Sequence, residues 1–189
     1  MNNVPNMLMT HTFGSGGTSL TQELENKIPH EKRIVTYDPA RFYLRKNGLD
    51  ANNTTTRQKV EMETFVIASS IGAIMQATRM QVMALMDNSL IEVAAYCQDL
   101  PMPEALMDRV YENLACYREH SVAYVIPPTI PLENDGLRHV DKEFRIVIHQ
   151  RIMQLVEAFN IPYHVVTFQG VDYRADEVLL THKNLYNFK

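Results

Sequence analysis

The stretch Met7-Leu8-Met9-Thr10-His11-Thr12-Phe13-Gly14-Ser15-Gly16-Gly17-Thr18-Ser19-Leu20 decides how the rest of the chain is interpreted. It begins with an apolar run typical of a short strand, turns through three glycines and enters a helical pattern over 18–27. A phosphate-binding loop has this order of elements, with Gly-x-x-x-x-Gly-Lys-Ser/Thr between strand and helix. Backbone N–H groups at such a helix start favour an anion. Clusters of Gly, Ser and Thr also occur in ordinary loops. The phosphate-binding interpretation assigns nucleotide phosphates to Gly14, Ser15, Gly16, Gly17, Thr18 and Ser19.

Two positions depart from that pattern. Gly16 and Thr18 occupy the second glycine and hydroxyl positions, but Gly17 stands where the lysine belongs and His11 where the first glycine belongs. The change at Gly17 removes the charge that normally reaches the β- and γ-phosphates. His11 can contact a phosphate, although packing at the strand end is the more common role for such a residue. The chain is therefore either a working enzyme with displaced parts or a phosphate-loop scaffold that has lost its chemistry.

Composition limits the class of protein. The 189 residues are enough for one domain over 1–189, and a net charge of −4 argues against a strong electrostatic grip on bulk nucleic acid. Two cysteines without metal-ligand spacing fit a reducing cytosol, so we expect a cytoplasmic protein. The apolar stretch 65–86 is interrupted by Gln and Arg and predicts no membrane span.

Apolar strand patterns alternate with helical patterns along the whole chain. Five such strands, each followed by a helical pattern, predict an α/β protein with a five-stranded parallel sheet between two layers of helices. We therefore expect the three-layer fold of P-loop NTPases.

Two carboxylates follow predicted strands. Asp87 ends the run 82–86, where a phosphate-loop enzyme holds the Asp that supports Mg²⁺, but it can equally cap the next helix. Asp38 ends the second strand and can act as general base toward an acceptor hydroxyl, with Arg41 nearby. The simpler alternative is that Asp38-Pro39 forms an ordinary turn and helix start, with Arg41 on a solvated face.

A basic cluster lies further along the chain, in a lid-like segment around 129–151. Arg138, Lys142 and Arg145 can share one side of a helix start and neutralise a phosphoryl group in transfer. The alternative is a solvated helix face. Any of these cations can supply the charge missing at Gly17, with Arg138 and Arg145 ahead of Lys142 because a guanidinium contacts phosphate oxygens in pairs.

Together these motifs resemble the nicotinamide-riboside-kinase-like and thymidylate-kinase-like group of small P-loop kinases, many of them phage-encoded. The resemblance covers almost the whole chain. It is carried by four stretches: His11 to Leu20, Asp38-Pro39-Ala40-Arg41, Asp87 with Tyr96 further along the next helix, and the lid and final turn. These last are Asp135-Gly136-Leu137-Arg138 with Arg145, and Gly170-Val171-Asp172-Tyr173-Arg174.

The resemblance implies an ATP:hydroxyl phosphotransferase with a nucleoside-like acceptor, free or within DNA. The group includes phage enzymes that phosphorylate hydroxymethyluracil in DNA. In this scheme ATP lies on the loop, Thr18 and Asp87 hold Mg²⁺, and Arg138 and Arg145 stabilise the transferring group. Asp38 activates the acceptor hydroxyl, and Arg41 and Tyr96 bind the acceptor.

Two other functions stay open. A pseudokinase would keep the fold as a binding module, and a nucleoside triphosphatase switch would use water alone. For Gly17→Lys we expect ATP binding that is unchanged or weaker. Either the turn needs the backbone freedom of Gly17, or the new side chain would clash with a relocated cation. A clear gain in both ATP affinity and turnover would contradict the relocated-cation hypothesis.

Overall fold

The computed structural model describes residues 4–129, 141–167 and 170–186. Within these residues, five parallel strands form a single sheet in the order β2-β3-β1-β4-β5. The strands are β1 Asn6–His11, β2 Arg33–Thr36, β3 Met83–Asp87, β4 Ser121–Ile126 and β5 Tyr163–Val165.

Helices cover both faces of the sheet. One face packs against α3, α4, α5 and α6, and the other packs against α1 and α7. The helices are α1 Gly17–Lys27, α2 Pro39–Lys46, α3 Thr56–Met80, α4 Leu90–Cys97, α5 Glu104–His120, α6 Lys142–Ala158 and α7 Val171–Tyr186. Helix α2 packs against α3. The predicted three-layer α/β fold with a five-stranded parallel sheet is therefore confirmed.

Strand β1 lies at the centre of the sheet, which explains its unbroken apolar sequence. Leu8 points into the core on one face, and Met7 and Met9 point into the core on the other. A strand buried on both faces has no solvent side for polar residues. The loop that follows β1 is consequently held in the middle of the molecule.

The strand order brings His11 and two predicted site residues, Asp38 and Asp87, to one edge of the sheet. Met9 pairs with Asp87 in the register of β1 and β3, and β2 lies on the far side of β3. The carboxyl ends of β1, β2 and β3 therefore meet, which places His11, Asp38 and Asp87 together, as expected at the switch point of a doubly wound sheet.

No helix in residues 4–129, 141–167 and 170–186 has both the length and the apolar character needed to cross a membrane.

Candidate nucleotide and acceptor site

The loop after β1 has the backbone shape of an anion cradle. Gly14 and Gly16 have φ angles of 72° and 84°, which is the left-handed region that favours glycine. Gly16 is the N-cap of α1, and Leu20 N–H donates to its carbonyl oxygen at 3.0 Å. The first N–H groups of a helix have no partner within the helix, so the start of α1 beside this loop favours an anion.

Two buried arginines fix the loop from outside. Arg174 on α7 donates through Nη1 to the Ser15 carbonyl oxygen at 3.1 Å, and Arg145 on α6 donates through Nε to Thr12 Oγ1 at 3.3 Å. Both side chains are 4% exposed. Ser15 Oγ also donates to the Thr12 carbonyl oxygen at 2.7 Å. The loop is therefore held in place by its own hydrogen bonds and by charged groups from two distant helices.

The His11 imidazole fills the space beside Gly17. A Cβ atom added to Gly17 would overlap the His11 ring, and Gly17 does not have a positive φ. Space, and not backbone angle, therefore requires a glycine at position 17. Of the two reasons that we gave for expecting Gly17→Lys to fail, a clash with a cation has structural support, but the cation is His11 and not Arg138, Arg145 or Lys142, which the sequence analysis proposed. The requirement for unusual backbone angles is wrong.

His11 is held as a cation. Its Nε2 donates to Asp87 Oδ1 at 2.7 Å, and its Nδ1 donates to the Thr12 carbonyl oxygen at 3.0 Å. Burial alone would lower the pKa of His11, but the hydrogen bond and charge of Asp87, together with the charge of Glu92, raise that pKa to about 9. An imidazolium therefore lies beside the position that a P-loop lysine occupies, and His11 both packs at the strand end and carries charge.

Asp87 is fully buried at the end of β3 and has three partners. His11 binds Oδ1, the Asp38 backbone N–H donates to Oδ2 at 3.2 Å, and the Thr18 hydroxyl donates to the same carboxylate. Burial would raise the pKa of Asp87, but the hydrogen bond and charge of His11 outweigh it and lower the pKa. The N-cap of α4 is Ser89, so the alternative that Asp87 caps this helix is wrong.

A magnesium ion fits this donor set. The Thr18 hydroxyl and the Asp87 carboxylate are in direct contact beside the loop, and both are oxygen donors of the kind that Mg²⁺ prefers. Among the described residues, no group of three or more His, Cys, Asp and Glu side chains forms a complete metal site by itself. Phosphate oxygens and water would have to supply the remaining ligands, as is usual for Mg²⁺ in phosphate-transfer sites.

Asp38 follows β2 and caps α2. Its Oδ1 accepts from Arg41 N–H at 2.9 Å and from Asn88 Nδ2 at 3.4 Å, and Arg41 Nε lies 3.4 Å from Oδ2. Burial and then the charge of Asp87 raise the pKa of Asp38. The predicted helix start is confirmed. Arg41, however, lines the site cavity and does not lie on a solvated face.

A cavity of about 440 Å³ opens from the loop toward α2, α3 and α4. Its polar lining includes Asp38, Arg41, Glu63 and Tyr96. Its apolar and aromatic walls are formed by Phe13, Leu44, Met62, Val66, Val93, Leu100 and Phe144. Phe13 and Phe144 are stacked with ring centroids 6.3 Å apart. The cavity therefore combines flat apolar walls with a few polar groups, which is typical of a small-molecule site.

Glu63 is a cavity residue that the sequence analysis did not predict. It is 7% exposed and lies in the buried stripe of α3 with Val66, Ile67 and Ser70. Burial and then the charge of Asp38 raise the pKa of Glu63 to about 8. A charged residue within an otherwise buried helical stripe was the signal available in the sequence.

The structure describes two of the three basic residues predicted to act together, Lys142 and Arg145, and these two lie in different environments. Arg138 lies outside the described residues, and so does the part of the lid-like segment that precedes residue 141. Lys142 is exposed at the start of α6, whereas Arg145 is buried against the loop. The inner face of α6 packs into the core through Ile148 and Ile152. Lys142 and Arg145 therefore do not form one exposed cluster.

The comparisons with known proteins agree with this fold. Residues 7–174 match the AAA_28 family, described as an AAA domain, and the chain belongs to that family. No match was found among curated proteins.

Solved structures resemble the chain over nearly its whole length. The NadR protein in complex with NR has a TM-score of 0.71 at 15% identity, covering 99% of this chain and 52% of NadR. Thymidylate kinase from Ehrlichia chaffeensis has a TM-score of 0.63 at 13% identity, covering 94% and 99% of the two chains. Deoxyadenosine kinase from M. mycoides has a TM-score of 0.56 at 10% identity, covering 95% and 99%. The chain spans about half the length of NadR, and these likenesses show the P-loop kinase fold.

Proposed function

We propose that the chain is an ATP-dependent phosphotransferase that phosphorylates a hydroxyl group of a nucleoside- or nucleotide-type acceptor. The observation that supports this most is that the loop after β1 and the cavity adjoin each other. A loop shaped for phosphates, with a cation in the place of the missing lysine, opens directly into a cavity with Asp38 at the boundary. A pure phosphate-binding scaffold has no need for that second compartment.

In the proposed reaction Asp38 takes the proton of the acceptor hydroxyl, and its raised pKa favours the uptake of a proton. The acceptor oxygen forms a bond to the γ-phosphorus as the bond between that phosphorus and the β–γ bridging oxygen breaks. ADP leaves with the bridging oxygen. Arg41, which contacts Asp38, orients the acceptor, and Tyr96 contributes to the cavity that holds it.

Charge stabilisation supplies most of the catalysis in phosphoryl transfer. We assign it to the His11 imidazolium beside the loop and to Arg145, with Arg138 from the segment outside the described residues. Thr18 and Asp87 would hold Mg²⁺, which when bound neutralises charge on the β- and γ-phosphates. His11 already binds Asp87, so the same pair places a positive and a negative group at the loop.

The test is transfer of label from γ-³²P-ATP to a panel of nucleosides and nucleotides, with and without Mg²⁺. Asp38→Asn should abolish turnover and leave the fold intact, because the amide still accepts a hydrogen bond at the helix cap but cannot take a proton. Asp108→Asn, at an exposed position on α5, is the matched control. Retained turnover in Asp38→Asn would exclude the general-base role, and ATP hydrolysis without any labelled acceptor would favour the triphosphatase.

A finer proposal is that the acceptor is a hydroxymethylated pyrimidine, either free or within phage DNA. It rests on the resemblance described above. It is supported by exposed Phe42, Arg45 and Lys46 on α2, the helix that lines the cavity mouth. Exposed aromatic and basic side chains together suit a single nucleic acid strand. Hydroxymethyldeoxyuridine and a short oligonucleotide containing it should be compared as acceptors.

A pseudokinase is the second candidate, and the His11–Asp87 pair itself favours it. This pair neutralises the buried carboxylate without a metal ion. Thermal stability with and without Mg-ATP separates the two candidates. A ligand at a hundredfold excess over its Kd stabilises the native state by about 2.7 kcal/mol. The absence of any shift with all nucleoside triphosphates would contradict the phosphotransferase.

A further inference from the structure

Glu63 is a buried carboxyl group without a partner in the described part of the chain. No hydrogen bond or ion pair joins it to another described residue, although it is 93% buried. Lys59, one turn earlier on α3, also lines the cavity but forms no ion pair with it. The Glu63 carboxyl oxygens are not among the fully occluded polar atoms that lack a hydrogen bond, so they are open to the cavity.

The cavity makes this carboxyl group available to a ligand. Glu63 is among the residues that line it, and apolar Met62 and Val66 flank it on the same helix. Tyr96 lines the same cavity close enough for Glu63 to act on its pKa, and the Phe13 backbone N–H donates to the Tyr96 hydroxyl oxygen at 3.4 Å. A hydrogen-bonding group set between flat apolar walls is the arrangement that orients a planar ligand.

We propose that Glu63 binds the acceptor by pairing with an edge of its nucleobase that carries a hydrogen-bond donor next to an acceptor. This inference rests on the proposed function and specifies the substrate class of the same cavity. It assigns Glu63 to recognition, whereas Asp38 is assigned to proton transfer.

The protonation state of Glu63 supports this pairing. Because burial and Asp38 raise its pKa to about 8, the carboxyl group is neutral at pH 7. A neutral carboxylic acid has one O–H donor and one carbonyl acceptor side by side. Two parallel hydrogen bonds to a nucleobase edge satisfy both. An unpaired buried group costs about 1–3 kcal/mol, so a mismatched edge should bind about five- to 150-fold more weakly.

The experiment measures binding by the full chain in the presence of Mg²⁺ and AMP-PNP, using isothermal titration calorimetry. The probes are three nucleosides and their edge-methylated counterparts: thymidine and 3-methylthymidine, inosine and 1-methylinosine, adenosine and N6,N6-dimethyladenosine. Variants are Glu63→Gln, which keeps a donor and an acceptor, and Glu63→Leu, which keeps neither. Glu61→Gln is the control, since Glu61 is more exposed, pairs with Arg57 at 2.8 Å and lies outside the cavity lining.

We expect at least one probe to bind wild type tenfold or more tightly than its methylated counterpart. Glu63→Gln should stay within about threefold of wild type, and Glu63→Leu should lose the discrimination. The melting temperature of Glu63→Leu without ligand should hold or rise, because an unpaired polar group is removed. A residue with a purely structural role would instead lower it and leave the discrimination unchanged.

Three results would overturn the inference: no probe binds wild type, every probe binds as well as its methylated form, or Glu63→Leu discriminates as wild type does. AMP-PNP binding is measured separately in the same samples. If AMP-PNP binds and the nucleosides do not, Glu63 recognition fails while the nucleotide half of the proposed function stands. If AMP-PNP itself does not bind, the proposed function fails.

Discussion

Replacing Gly17 with alanine tests the relation between positions 11 and 17 most directly. The added Cβ would overlap the His11 ring, so the imidazole has to leave its position. That movement breaks the 2.7 Å pair with Asp87 and the 3.0 Å hydrogen bond to the Thr12 carbonyl oxygen. Asp87, which is fully buried, then loses its cationic partner.

The expected cost follows from that buried pair. Removing one partner of a buried ion pair typically costs 3–5 kcal/mol, because the remaining charge stays uncompensated. Since the whole free energy of unfolding of a domain is about 5–15 kcal/mol, Gly17→Ala should remove a large part of it. For a chain of this size, each kcal/mol lost from the free energy of unfolding lowers the melting temperature by about 2–4 °C. The melting temperature of Gly17→Ala should therefore fall by about 10 °C.

A compensating pair of changes should recover much of this loss. The double variant His11→Gly, Gly17→Lys restores the common phosphate-loop pattern and removes the ring that overlaps the new side chain. Its lysine can reach Asp87 through the vacated space. We expect each single variant to be strongly destabilised. The double variant should lose about 2 kcal/mol less unfolding free energy than the sum of the two single losses, a coupling typical of contacting residues.

Equilibrium unfolding in urea measures wild type, Gly17→Ala, the two single variants of the pair and the double variant, with Gly72→Ala as the control. Gly72 lies within α3, has no atom within 4 Å of an added Cβ and has no positive φ, so its replacement should be neutral or slightly stabilising. Two results would contradict a stabilising role of the His11–Asp87 pair beside Gly17. In the first, the free energy of unfolding of Gly17→Ala lies within about 1 kcal/mol of the wild-type value; in the second, the losses of His11→Gly and Gly17→Lys simply add in the double variant.

Three further predictions concern other parts of the site. Arg145→Ala should lower turnover by orders of magnitude in the γ-³²P transfer assay, and a loss below tenfold would contradict its role. Arg41→Ala should raise KM for the acceptor more than it lowers kcat, which initial-rate kinetics at varied acceptor concentration can show. The third prediction concerns pH. Native Glu63 keeps its proton to about pH 8, whereas the unfolded chain releases it near 4.5. The free energy of unfolding of wild type should therefore fall relative to Glu63→Gln by about 1.4 kcal/mol per pH unit between those values, and parallel curves would contradict it.

Much of the fold could be predicted because its signals are local. The helix Thr56–Met80 was visible as apolar residues at helical spacing, and each strand as a short apolar run closed by turn residues. The positions of Asp38 and Asp87 also followed, since parallel strands present their carboxyl ends at one edge of the sheet. Knowledge of the fold class alone is therefore enough to predict that Asp38 and Asp87 lie close together.

The parts of the site that depend on packing could not be predicted. Both unusual positions, His11 and Gly17, were visible in the sequence. Only the structure shows that the His11 ring occupies the space that a side chain at position 17 would need. Glu63 was hidden within a helical stripe that is otherwise small or apolar. Whether such a residue lines a cavity or pairs with a neighbour depends on where α2 and α4 lie relative to α3.

The hydrogen bond between Arg174 and Ser15 has a consequence for how the protein is made. It joins residues 159 positions apart, so the phosphate loop leaves the ribosome long before its support does. At about 5–20 residues per second, roughly 8–32 s separate the synthesis of these two residues. Strand β1 also waits for β3 and β4, its neighbours on either side in the sheet. The loop after β1 is therefore synthesised well before Arg174, and it reaches its final form only after Arg174 has bound it.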